Sequence, residues 1–198
     1  MTPTHEVHSF ADLPAELAAR ELAPHEIGLY HWTPEYIAEE AARLLVTRPG
    51  TRVLDVGCGI GQFCMAGAEA TEGYFTGVEQ RGHLVTQARR LARERSTPRV
   101  RFVHANITTV PFWEHHAFYL FNPFDENLRP AMRIDSAVEL SGYLFESYNA
   151  YVKQQLSEAP AGTRVVTYVG GEEALPEMYR EQERRFGGQL VLWVKGPG

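Results

Sequence analysis

The sequence predicts an α/β protein: a seven-stranded, mostly parallel sheet with helices on both faces and a C-terminal antiparallel hairpin. Three observations lead there. The short apolar run Val53-Leu54-Asp55-Val56 ends in the turn Gly57-Cys58-Gly59-Ile60-Gly61, before a helical stretch opening at Gln62. That is the pattern of a buried parallel strand whose C-terminal end carries a ligand. Strand-like and helix-like segments then alternate through to about residue 170. Finally, Gly187-Gly188 separates two strand-like runs, which favours a hairpin.

A length of 198 residues suits a single domain with a sizeable core. With 44% hydrophobic and 22% charged residues, the composition is that of an ordinary soluble globule. No apolar run approaches the roughly twenty residues of a membrane span, and the polar N-terminus is not a secretory signal. A cytoplasmic location without a membrane partner is expected. The two cysteines, Cys58 and Cys64, have neither metal-ligand nor disulfide-framework spacing and are read as reduced thiols. A net charge of −6 argues against a general nucleic-acid binder, so nucleic acid is not the expected partner.

Residues 1–30 are polar and punctuated by Pro3, Pro14 and Pro24, with a short helix expected over 13–22 capped by Asp12. They are taken as an N-terminal segment or lid, and 31–198 as one domain. Thr33 as N-cap and Pro34 at the first helical position start a helix that runs to about residue 46, burying Ile37, Ala41, Leu44 and Leu45. Arg48-Pro49-Gly50 ends it, and the central strand begins at Arg52. After the helix over 62–70, residues 73–80 read as the second strand, ending in Glu79. Residues 82–95 form an amphipathic helix with Leu84, Val85, Ala88, Leu91 and Ala92 inward. Its outer side is rich in arginine, which suits a solvated face better than a phosphate site.

Residues 100–106 read as the third strand. The fourth, starting at Ala117, carries Asn122-Pro123-Phe124 at its C-terminal tip, on the same sheet edge as the glycine turn. A helix over 136–159 presents Val138, Tyr143, Leu144, Tyr148, Tyr151, Val152 and Leu156 as its apolar stripe. A fifth strand spans 162–171, a short helix 175–180, and the hairpin 183–195.

The glycine turn and the acid that follows it point to a nucleotide-like ligand. Gly57, Gly59 and Gly61 let the backbone approach a bound molecule, and the helix after them aims its N-terminal amides at the site. Glu79 lies about twenty residues further on, the spacing of a carboxylate that accepts both ribose hydroxyls. The dinucleotide fingerprint, however, wants its third glycine where Gln62 stands.

Asp-x-Gly-x-Gly-x-Gly over 55–61 resembles the first motif of the class I, Rossmann-like S-adenosylmethionine-dependent methyltransferases. The resemblance covers nearly all of 28–195 and implies S-adenosyl-L-methionine as cofactor. It implies cofactor contacts from Asp55, Gly57, Cys58, Gly59, Gln62, Glu79, Gln80, Asn106, Ile107 and Asn122. The aromatic segment Tyr30-His31-Trp32-Thr33 is similar to one that folds over the methionine end of the cofactor in that family, adding Tyr30, Trp32 and Thr33. Where many members carry Asp, this chain has Asn106, whose carbonyl can still accept the adenine amino N–H. Asn122-Pro123-Phe124 is similar to the (Asn/Asp)-Pro-Pro-(Phe/Tyr) motif of amine methyltransferases, one proline short. That implies Asn122 orienting an amine and Phe124 lining its pocket, although a plain strand-to-loop turn fits the tripeptide as well. Gly59-Ile60-Gly61-Gln62 with Gly77-Val78-Glu79 also resembles the non-SET histone-lysine methyltransferases, from which only an amine acceptor carries over.

The expected reaction is methyl transfer to an unidentified acceptor, an amine of a small molecule or protein side chain rather than nucleic acid. A neutral amine needs no strong base. His31, His83, His104 and the adjacent His115-His116 are read as structural or surface residues, with no metal and no base assigned. Two rivals remain: a nucleotide-dependent oxidoreductase, disfavoured by Gln62 and by the lack of room for a second catalytic domain, and a non-catalytic cofactor-binding module. The sequence leaves acceptor identity and oligomeric state open.

Overall fold

In a computed structural model, residues 31–129 and 133–197 are described. The expected segment over 1–30, including Tyr30, lies outside them. The elements run α1 (Glu35–Leu45), β1 (Arg52–Val56), α2 (Gln62–Ala70), β2 (Tyr74–Glu79), α3 (Gly82–Glu94), β3 (Val100–His104), β4 (Ala117–Leu120), α4 (Gly142–Glu158), β5 (Arg164–Tyr168), β6 (Tyr179–Arg185) and β7 (Leu190–Lys195). They build one seven-stranded sheet in the order β3-β2-β1-β4-β5-β7-β6. Strands β1 to β5 are parallel, whereas β7 runs antiparallel to both β5 and β6.

The pleat divides the core in two. Val53, Phe75, Phe102 and Tyr119 face α1, α2 and α3, with Phe63 stacked on Tyr119 at a centroid distance of 3.8 Å. Leu54, Val56, Phe118, Leu120 and Val165 face the other way, onto Tyr148, Val152 and Leu156 of α4. Each such side chain, fully buried, contributes about 1.5–3 kcal/mol. Both faces are therefore committed, and ligands are left the edges of the sheet.

Four local expectations are corrected. Helix α1 begins at Glu35, and the Pro34 carbonyl accepts its first helical bond, from the Ala38 N–H. Thr33 therefore does not cap it; its hydroxyl lies 2.9 Å from the Tyr119 hydroxyl, a buried partner that outcompetes the cap. Helix α4 starts at Gly142 rather than near 136, because Ser141 caps it by accepting from the Leu144 N–H. Residues 135–141 are instead tied to the sheet edge through Arg81 and Asn127. The short helix over 175–180 does not form: β6 already starts at Tyr179, which pairs with Lys195 and buries its ring. Tertiary pairing there overrides a weak local preference. Strand β3 ends at His104, and Asn106 caps a single 3₁₀ turn over Ile107–Thr109.

Candidate active site

Adjacent strands β1 and β4 lead into connections on opposite sides of the sheet, and that reversal opens a crevice at their C-terminal ends. Gly57 and Gly59 line it from the turn after β1, Glu79 and Gln80 from β2, Asn106 and Ile107 from beyond β3, and Asn122 and Phe124 from beyond β4. Trp32 closes it from the segment before α1.

The turn is held open by packing. Gly61 has φ +80°, and a Cβ there would sit 2.3 Å from the Phe102 ring, so only glycine lets α2 start against β3. Gly57 and Cys58 both donate to the Val78 carbonyl at 2.9 Å, which locks the turn onto β2. Gly59 faces Trp32: a Cβ at Gly59 would lie 3.6 Å from the indole Cδ1 and Nε1. That indole N–H is buried and has no partner among the described residues, a donor over the glycine turn for a ligand to satisfy.

Glu79 is buried, and its two oxygens accept from the Gly59 N–H (3.2 Å) and the Arg81 N–H (2.8 Å). Burial raises its pKa, and the Arg81 amide and charge offset only part of that rise. The carboxylate thus faces the cleft already oriented by main chain. Asn106 is more committed than its spacing suggests. Its Oδ1 accepts from the Thr108 N–H (3.0 Å) and hydroxyl (2.9 Å), while its Nδ2 donates to the Tyr148 hydroxyl at 3.0 Å. Its carbonyl therefore caps the 3₁₀ turn instead of standing free for an adenine amino group.

Other expected contacts lie away from the cleft. Asp55 shares the face of Val53, where Cys64 donates its thiol proton to it at 3.4 Å; burial pushes this carboxyl up to about 7 despite that bond. The Cys58 side chain turns toward Gly77, where a Cβ would come within 2.6 Å of its sulfur. Gln62 begins α2 outside the lining, and Thr33 is buried against Tyr119. Thr33 and Cys58 are each adjacent in sequence to a lining residue, but the pleat or the turn sends their side chains elsewhere.

The end of the cleft beyond β4 and β5 is strained. Asn122 has φ +41°, and its side-chain oxygen lies 3.4 Å from where a Cβ on Gly170 would stand. Beyond β5, Val169, Gly170 and Gly171 all have positive φ, unusual for a β-branched valine. Pro123 lies against Gly57, at 3.3 Å from a Cβ built there, so the two loops touch. Phe124 is buried against Tyr148, with ring centroids 5.3 Å apart.

Sequence reasoning missed the wall that closes this end. Arg81, only 4% exposed, donates through Nη2 to Glu126 at 2.6 Å and through Nε to Asp135 at 3.0 Å. Glu126, His31, Tyr148 and Ile134 join the lining with it. No motif marks these contacts, because the partners of Arg81 lie 45 and 54 residues away; its adjacency to Glu79 was the only available signal.

Residues 53–132 match the family model described as a methyltransferase domain. The sheet has the Rossmann-like methyltransferase fold. The glycine turn, the Glu79 carboxylate and the Trp32 indole, which has no partner among the described residues, fit a ligand such as S-adenosylmethionine. The chain is similar to an RNA methyltransferase from Salinibacter ruber solved with S-adenosyl-L-homocysteine. That match has 18% identity and a TM-score of 0.59, and covers 84% of this chain and 94% of that one. The fold is also that of magnesium protoporphyrin IX methyltransferase from Synechocystis with bound cofactor, at 13% identity and TM-score 0.58, covering 82% and 79% of the two chains. A cofactor-dependent methyltransferase from Aquifex aeolicus is 12% identical with TM-score 0.55, covering 87% and 97%. No curated protein matches the chain. Among the described residues no helix is long and apolar enough to cross a membrane.

Proposed function

We propose that the chain transfers the methyl group of S-adenosylmethionine to an amine nitrogen held at Asn122-Pro123-Phe124. The observation that carries this reading is Asn122 at positive φ on the tip of β4, lining the cleft beside the glycine turn. A left-handed asparagine at a ligand-facing tip costs on the order of 1–3 kcal/mol, and such strain persists where its geometry is used. The side-chain oxygen of Asn122 accepts an amine N–H, which turns the nitrogen lone pair toward the cofactor. Phe124, fixed by Tyr148, forms the apolar floor that keeps the amine uncharged. Trp32, Gly57, Gly59, Glu79, Gln80 and Ile107 hold the cofactor, with Glu79 on its ribose. The bound cofactor supplies the activated sulfonium methyl; the protein supplies position and a dry cleft. Residues 31–198 act as one such unit, and 1–30 as its lid.

The acceptor class stays at amines. One structural neighbour is an RNA methyltransferase, so the exocyclic amines of nucleobases belong beside small-molecule and protein amines. The test is S-adenosylhomocysteine release over a panel of amines, nucleosides and lysyl peptides, with Asn122→Ala and Asn122→Asp. Loss of turnover in the alanine variant at unchanged cofactor affinity supports the reading. Full turnover without the Asn122 side chain, or transfer only to hydroxyl or carbon acceptors, overturns it.

A further inference from the structure

The edge of the sheet opposite the cleft has a different character. Arg52, Arg89, Arg93, Arg99 and Arg101 line the surface around the N-terminal ends of β1, β2 and β3 and the outer side of α3, and Arg48 lies near enough to act on His116 beside them. None of the six pairs with a carboxylate among the described residues. Arg52 donates to the Glu114 carbonyl, Arg89 to that of Phe102, and Arg99 to those of Ala68, Thr71 and Gly73. Carbonyls orient a guanidinium without cancelling its charge. By contrast Arg43, Arg81, Arg90, Arg184 and Arg185 each bridge an acid. The local field also registers on two histidines: beyond burial, Arg101 and Arg52 hold the His115 pKa down, and Arg52 and Arg48 that of His116.

A groove runs along this edge between Tyr74, Arg101 and Trp113, with Glu114 the one carboxylate in its lining. A second depression, reaching Arg89 and Arg93, shares Val100 and Arg101 with it. Trp113 is 79% exposed and Tyr74 53%, large aromatic faces that folding leaves in water beside uncompensated cations. The buried Nδ1 of His115, also in the lining, has no partner among the described residues.

We propose that this groove binds a single-stranded polynucleotide, with the arginines on phosphates and Trp113 and Tyr74 stacked on bases. Phosphate neutralisation and base stacking on aromatic side chains together are how proteins hold single strands without reading sequence. A duplex keeps its base faces internally stacked and offers Trp113 nothing to stack on. The groove and Asn122 sit at opposite ends of strands of four to six residues, on the order of 17 Å apart along the sheet. The nucleotides it holds are therefore not the methyl acceptor, and the groove's role stands apart from which amine reacts at Asn122.

The test is fluorescence anisotropy of a labelled oligouridylate against the full chain, at low and moderate salt, without added cofactor. Wild type binds, and binding weakens as salt rises. Trp113→Ala weakens it about tenfold, and Arg101→Ala lowers the salt slope by roughly 0.7. Both side chains are exposed, so both variants retain wild-type affinity for S-adenosylhomocysteine, which separates lost docking from lost folding. Absence of binding by wild type, unchanged affinity in Trp113→Ala, or equal affinity for inorganic polyphosphate overturns the proposal.

Discussion

The backbone N–H of Gly59 donates to Oε2 of Glu79 at 3.2 Å, joining the turn after β1 to the last residue of β2. The other oxygen, Oε1, accepts from the Arg81 N–H at 2.8 Å. The acid proposed to hold the ribose is thus also a strut between two strand tips.

Glu79→Ala is expected to weaken S-adenosylhomocysteine binding by about tenfold to a hundredfold, the worth of hydrogen bonds to a charged acceptor. Glu79→Gln keeps one acceptor oxygen and loses less. Calorimetric titration measures both, with NAD as the control. Wild-type affinity in the alanine variant would place the ribose elsewhere.

Gly61→Ala forces a Cβ into the Phe102 ring at a left-handed position. A destabilisation of about 2–4 kcal/mol is expected from overpacking plus backbone strain. Phe102→Ala in the same chain relieves the overlap, so urea denaturation of the double-mutant cycle gives a total smaller than the sum of the single changes.

Arg81→Ala removes the buried guanidinium that Glu126, 14% exposed, and Asp135 share, leaving them only His31 and His83 as basic neighbours among the described residues. Breaking such a buried pair costs about 3–5 kcal/mol. Adding Glu126→Gln removes one stranded charge and restores part of the loss. Thermal or urea unfolding of the three variants reads the coupling, and strictly additive losses would show that the two side chains act independently.

Asp55 contributes a pH dependence of known sign. Burial raises it to about 7 in the folded chain, whereas an unfolded aspartate titrates near about 3.9. Between those values the folded state binds more protons, so this group lowers stability as pH rises and exerts its full cost above about 7. His115, pushed down to about 4 chiefly by burial and then by Arg101, gives a slope of opposite sign up to its unfolded value of about 6.5. A wild-type curve mixes the two, so the difference between Asp55→Asn and wild type is the quantity to measure. It should grow in the variant's favour from about pH 4 to 7 and then level, because asparagine still accepts from Cys64 and never ionises. A difference independent of pH would mean that Asp55 titrates as it does in water.

Most of the sheet could be read along the chain because buried parallel strands are short apolar runs and glycine turns mark their ends. Residues 52–56, 74–79, 100–104, 117–120 and 164–168 all announce themselves this way, as does the Gly187-Gly188 hairpin. The segments misread, 136–141 and 175–180, have weak local signals, and contacts with Arg81, Asn127 and Lys195 settle them. Gly57, Gly59, Glu79, Asn106 and Asn122 reach the cleft because each ends a strand or begins the connection after it, a position that sequence order alone supplies. The side chains of Thr33, Asp55 and Cys58 do not, because a pleat or a tight turn reverses direction within one residue.

Local pattern therefore carried the element order, the glycine turn and the acid twenty residues beyond it, since these depend on backbone conformation and near neighbours. Folding supplied the rest. Arg81 meets Glu126 and Asp135, and Asn106 meets Tyr148, only because distant segments converge on one edge. The overall charge of −6 conceals a face whose six arginines pair with no carboxylate among the described residues. Net charge is a sum over the chain, whereas a binding surface responds to the charges within a screening length of about 10 Å, and that grouping exists only after the sheet has formed.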